Sequence, residues 1–193
     1  MTKDRHPVPS PDDIRREIQR VQFREKYART LKSTFFALMS LAAVFVLIFT
    51  LVLPVYRVHG TQMGPTLEDG QLVATLPHTT SQRGDVVAFY YNSKVLIKRV
   101  IALEGDTIDI DSEGNVSLNG VPLDEPYLTE KALGECNITF PYQVPLGKVF
   151  VMGDDRDLSV DSRHTEISCV TKEQIIGTVI LRIWPLDDLS VFK

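Results

Sequence analysis

Positions 33–53, STFFALMSLAAVFVLIFTLVL, form 21 consecutive residues without a charged side chain, and this run constrains the chain more than any other feature. A helix rises about 1.5 Å per residue, so such a run crosses a hydrocarbon core of roughly 30 Å. A cleavable leader would have an apolar stretch of about 7–15 residues ending at a small-residue cleavage site. Here the run is longer and leads into Leu53-Pro54-Val55-Tyr56. The reading is a retained transmembrane helix.

Charge sets the expected orientation. Up to Lys32 there are nine Lys and Arg residues against five acids, whereas the remainder holds 12 basic and 20 acidic residues. Basic residues on the N-terminal flank of a span keep that end in the cytoplasm. The expected partition is a cytoplasmic basic tail and helix at 1–32, a transmembrane helix at 33–53 and an extracytoplasmic domain at 55–193, on a single-pass plasma-membrane protein. That domain carries a net charge of −8, which repels phosphate backbones and excludes nucleic acid as a partner.

The first ten residues, with Pro7, Pro9 and Ser10, read as a loose tail. Ser10-Pro11-Asp12-Asp13 then combines a capping hydroxyl, a first-turn proline and acids at the positive dipole end, which starts a helix running into the span. Ile14, Ile18, Val21 and Ala28 fall near heptad spacing and suit either a partner helix or a basic stem lying along anionic lipid.

Beyond Val55 the helical period disappears. Short runs rich in Val, Ile, Tyr and Phe alternate with Gly, Pro, Asn and Asp, which predicts a mostly β domain. With 44% hydrophobic residues the chain can fill a core for it. Strands are expected at 72–76, 85–91, 95–103, 107–110, 116–118, 149–152 and 177–184. Asn119-Gly120 is a two-residue hairpin turn between Val116-Ser117-Leu118 and Val121-Pro122-Leu123. Positions 171–176 are expected to form one helical turn.

Cys136 and Cys169 lack metal spacing and either form a disulfide or stay as free thiols. Asp109, Asp111, Glu113 and Gly114 imitate the start of a calcium loop, but its twelfth position is Gly120 where a bidentate glutamate is needed. His6, His59, His78 and His164 are scattered, and no glycine-rich phosphate loop occurs. No cofactor and no metal are expected.

Three segments remain: GTQMGPTLEDG from Gly60, RGDVVAF through LIKRVIALEGD from Arg83 to Asp106, and GDDRDLSVDSR from Gly153 to Arg163. In order, in spacing and in their position after a membrane anchor, they resemble the bacterial type I signal peptidases, the S26-like serine/lysine-dyad family. The resemblance continues to Gly177 and Trp184-Pro185. It implies a signal-peptidase-like domain of antiparallel sheets, with exported preproteins as substrates. By strand alternation Lys98 lies between apolar faces, where it is desolvated or paired, unless it snorkels to water from an edge strand. The resemblance assigns it the position of the general base, activated by burial. Ser159 matches the hydroxyl that bonds the base, and Asp161 and Arg163 match a supporting ion pair. Asp154, Asp155 and Asp157 read as a solvated turn. Gly60, Met63 and Pro65 match the substrate-binding segment.

The departure is Gln62. Three residues before Pro65, where the family has its nucleophilic serine, this chain has an amide with no ionisable hydroxyl. Thr61 is the alternative nucleophile, but on an extended strand it would face away from Lys98. Three functions are compatible with this pattern. One is a pseudo-protease that binds extended peptides without cutting them, in the manner of signal-peptidase-like proteins of pilus assembly that lack the dyad. Another is an active signal peptidase I using Thr61 or an unforeseen nucleophile. The third is a structural membrane partner acting through its basic stem. Self-cleaving repressor proteases share the dyad but carry DNA-binding domains and no span.

Overall fold

A computed structural model describes residues 11–192. The chain divides into two compact units, the first ending at Phe49 and the second beginning at Thr50. The first is a helix, α1, Pro11–Val52. Pro11 takes the opening turn, where its missing N–H costs nothing, and Pro54 blocks continuation beyond the last turn. Within α1, Lys26–Thr50 is long and apolar enough to cross a membrane. Phe35, Leu41 and Phe45 are each at least 60% exposed, and a helix apolar on all sides and uncovered suits lipid better than a protein core. The tail and its capping Ser10 lie outside the described residues, as do the side chains of Ile14, Ile18 and Val21.

Among the described residues the second unit has twelve strands: β1 Val55–Arg57, β2 Leu72–Leu76, β3 Val86–Tyr91, β4 Lys94–Ala102, β5 Thr107–Ile110, β6 Val116–Leu118, β7 Val121–Pro122, β8 Tyr142–Gln143, β9 Lys148–Met152, β10 Val170–Thr171, β11 Ile175–Trp184 and β12 Ser190–Val191. The larger sheet has the order β1-β2-β11-β3-β4-β9-β10, with β12 beside β11; the smaller is β7-β6-β5-β8. All pairings are antiparallel. β5 shows clean alternation, with Ile108 and Ile110 buried and Asp109 exposed. Asn119 and Gly120 both take positive φ, 54° and 80°, as a tight hairpin turn between β6 and β7 requires.

Three packed clusters fix the site. Val58, Met63 and Leu67 anchor the segment after β1 onto Val73, Val86 and Val179. Val87, Phe89, Val100, Val149, Val151 and Val170 pack separately, since neighbours such as Val86 and Val87 point to opposite faces. The small sheet packs through Ile108, Ile110 and Leu118 onto Ile101, Phe150 and Met152.

β3 pairs with β4 from Lys94 to Arg99, but β9 pairs with β4 only from Arg99 onward. The opening half of β4 therefore keeps one unpaired edge among the described residues, and β1 is the outer edge of the same sheet.

Several expectations require correction. Positions 171–176 are no helix: Thr171 ends β10, Ile175 opens β11, and one turn closes between them as Gln174 N–H donates to Thr171 O at 3.1 Å. Of the two alternatives left open for Cys136 and Cys169, the structure has the free thiols. Cys169 is buried in the core, and Cys136 Sγ bonds its neighbour Ile138 O at 3.4 Å. Asp154 is not solvated; it is 2% exposed and forms an ion pair with Arg99.

Candidate functional site

The site forms where the start of β4, the turn after β1 and the loop after β9 converge. Lys98, on β4, is 1% exposed. Its Nζ donates to Ser159 Oγ at 2.7 Å and to Gln62 Oε1 at 2.6 Å. Burial pushes its pKa down to about 8, against the upward pull of Asp161; Arg163 adds to the lowering. A buried ammonium therefore survives near neutrality because two acceptors and a nearby carboxylate face it.

Behind Ser159 the network continues. Its hydroxyl donates to Asp161 Oδ2 at 2.7 Å, and Gly153 N–H donates to the same oxygen at 3.0 Å. Arg163 grips Asp161 through Nε and Nη2, both at 2.9 Å, and donates from Nη1 to the carbonyls of Leu133 and Arg156. Both side chains of the pair are fully buried. Burial alone would raise the Asp161 pKa, but the Arg163 guanidinium, the Gly153 amide and the Ser159 hydroxyl together hold it below the usual carboxylate range.

Gly153 is required by close approach. A Cβ there would lie 2.3 Å from Ser159 Oγ and 2.4 Å from Gln62 O. This contact seats the loop against the Gln62 backbone, whose carbonyl also accepts from Asp155 N–H at 3.2 Å.

Thr61 and Gln62 lie in a bend and turn, not in a strand, with Gly64 N–H bonding Thr61 O at 2.9 Å. The strand-alternation argument for Thr61 therefore does not apply. Thr61 is exposed, and it is absent from the lining of the cleft that reaches Lys98. That cleft, about 690 Å³, runs between Tyr56–Gly60 with Gln62 and Met63 on one side and Lys94–Lys98 on the other. Pro65 lines a different cavity of about 500 Å³, together with Asp155 and Asp157.

A second support was not foreseen from the sequence. Arg99, next to Lys98, donates Nε and Nη2 to Asp154 at 2.8 and 2.5 Å, and Thr66 Oγ1 donates to Asp154 Oδ2 at 2.5 Å. The guanidinium also lies 4.0 Å from the centre of the Tyr127 ring. Arg156 and Glu125 form a further buried ion pair, which Tyr127 joins through its hydroxyl at 2.8 Å. These contacts tie the Gln62 turn, β4 and the loop after β9 into one frame. The signal was the cation at Arg99 and the acid at Asp154, but nothing in the spacing says that they meet.

The sequence profile of the signal peptidase, peptidase S26, family matches residues 28–184. Signal peptidase IB of Staphylococcus aureus strain Mu50 is 32% identical over 176 residues, covering 79% of this chain and 91% of its own. Signal peptidase I of Bacillus licheniformis is 34% identical over 150 residues, covering 69% of this chain and 78% of its own. A crystal structure of a signal peptidase I from Enterococcus faecalis superposes with a TM-score of 0.43 at 29% identity, covering 52% of this chain and 97% of that one. The profile match across most of the sequence, together with the Staphylococcus relative aligned over nearly its whole length, shows that the chain belongs to the type I signal peptidase family, peptidase S26, which acts on the signal peptides of exported preproteins.

Proposed function

We propose that the protein is a membrane-anchored, non-cleaving member of its family that binds exported preproteins, or pilin-like clients, as extended peptides outside the cytoplasmic membrane. The observation supporting this is the 2.6 Å hydrogen bond from Lys98 Nζ to Gln62 Oε1. Serine/lysine chemistry needs a hydroxyl proton to pass to a neutral amine. Here the lysine faces an amide oxygen that has no proton to give. Ser159 also touches Lys98, but it is 2% exposed and its hydroxyl is committed to Asp161, so a scissile carbonyl has no route to it. Peptide binding needs no nucleophile. The unpaired edge of β4 offers backbone groups to an extended chain, as in strand-addition modes of recognition.

The intact Lys98, Ser159, Asp161 and Arg163 network favours the rival reading of an active peptidase using Thr61. One experiment separates the two. The natural protein, given a signal-peptide substrate, is expected to leave it whole. Gln62→Ser restores a hydroxyl beside the lysine and is expected to produce measurable cleavage, and Lys98→Ala in that background to remove it. Cleavage by the natural protein that Thr61→Ala abolishes would overturn the proposal and make Thr61 the nucleophile.

A further inference from the structure

The cleft beside Lys98 has a charge pattern unlike that of its domain. Apart from the Tyr56 phenol, its ionisable side chains are Arg57, His59, Lys94 and Lys98, and no acid lines it. Yet the sequence beyond Lys32 holds 20 acidic and 12 basic residues. Arg57 and Lys94 are exposed and have no ion-pair partner among the described residues. The contrast with a separate cavity of about 740 Å³ is direct. There Arg83 is neutralised by Asp106 at 2.6 Å and Lys172 by Glu104 at 2.9 Å. An excess of cationic over acidic residues along one cleft attracts an anionic ligand.

Gln62 determines what kind of anion. Because its Oε1 is held by Lys98, its Nε2, with two N–H donors and no partner among the described residues, is left for the cleft that the side chain lines. The same bridge stands across the inner end of the cleft. A chain laid along the free edge of β4 toward Lys98 meets a side chain with three more heavy atoms than serine, tied to the lysine, so it stops there. A chain that stops presents a terminus. An N-terminal ammonium would be repelled by Arg57, Lys94 and Lys98, whereas a C-terminal carboxylate accepts from the amide and is attracted by all three.

We propose that the cleft captures the free C-terminal carboxylate of an extended peptide, with the carboxylate at the Gln62 amide and the preceding residues along Lys94–Lys98. This rests on the peptide-binding reading above and names the group the cleft recognises, a free carboxylate end of the bound chain. Met63, Val95 and Ile97 are among the lining residues, so apolar side chains suit the residues before the carboxylate.

The test is isothermal titration calorimetry of the full-length protein in detergent micelles. The probes are an N-acetylated neutral nonapeptide with a free C-terminal acid, its C-terminal amide, and the amide with an internal glutamate. The acid is expected to bind roughly tenfold more tightly than either amide, the difference a charge-assisted contact supplies. Arg57→Gln combined with Lys94→Gln should lower the affinity for the acid toward that of the amide, and the part that remains should be lost with Gln62→Leu, which removes the amide donors. Equal binding of acid and neutral amide would overturn carboxylate capture while leaving peptide binding intact. A glutamate-bearing amide as tight as the acid would overturn it in favour of an acidic side chain. Binding by none of the three would overturn both readings.

Discussion

Lys98 is costly to keep charged where it sits, and the cost has a direction in pH. Its folded pKa of about 8 lies below the ordinary lysine value of 10.5. Below pH 8 the lysine is protonated in both folded and unfolded chains, and the desolvation penalty is fully present. Between 8 and 10.5 the unfolded chain holds a proton that the folded chain has lost, so stability rises with pH in that window. The full shift is worth about 3 kcal/mol. Lys98→Met has no such titration. In urea unfolding of the full chain, the natural protein should gain about 3 kcal/mol relative to Lys98→Met between pH 7 and pH 10.5; a difference independent of pH would show that the pKa is not lowered. At this scale the sequence was readable where a motif places a residue by spacing, as for Gln62, Lys98 and Ser159. It was silent where partners meet only in three dimensions. Arg99 and Asp154 lie 55 positions apart, and a buried aspartate looks the same in a sequence as a solvated one.

The loop of residues 153–163 is the element on which the site depends, because it carries no regular structure and is held by polar contacts. Asp161→Asn would leave the buried Arg163 guanidinium without its counter-charge, a loss of about 3–5 kcal/mol. Gly153→Ala acts by a different route. The new methyl would meet the Ser159 hydroxyl and the Gln62 carbonyl, so the loop must retreat at a cost of about 1–3 kcal/mol. Chemical denaturation of the two variants checks both figures, and an Asp161→Asn protein as stable as the natural one would refute the role of the pair. The long strands were legible because β3, β4 and β11 carry Val and Ile over six to ten residues. The two- and three-residue strands β1, β8, β10 and β12 were not, since each exists only by pairing with a longer neighbour. The Thr171–Ile176 reading failed for the same reason: a capping pattern was present, but strands on both sides left room for a single turn.

Over the whole molecule, charge is divided as sharply as structure. The flank before the span is basic and the domain after it is acidic, while the span itself is uncharged and uncovered. An acidic domain and a positively charged cytoplasmic flank are the arrangement that membrane insertion favours. A peptide-binding cleft of the kind proposed is useful only on the side where exported chains emerge. The orientation that this charge pattern predicts would put the proposed cleft on that side, and it can be tested without knowing the client. In intact protoplasts, added protease should remove the domain beyond Val55 and leave a protected fragment containing the span. Neutralising Lys26, Arg29 and Lys32 together should reduce the digested fraction, because the remaining Lys and Arg lie farther from the membrane and orient it less strongly. If the domain is digested only after lysis, the cleft faces the cytoplasm, and neither preprotein binding outside the membrane nor carboxylate capture there can stand.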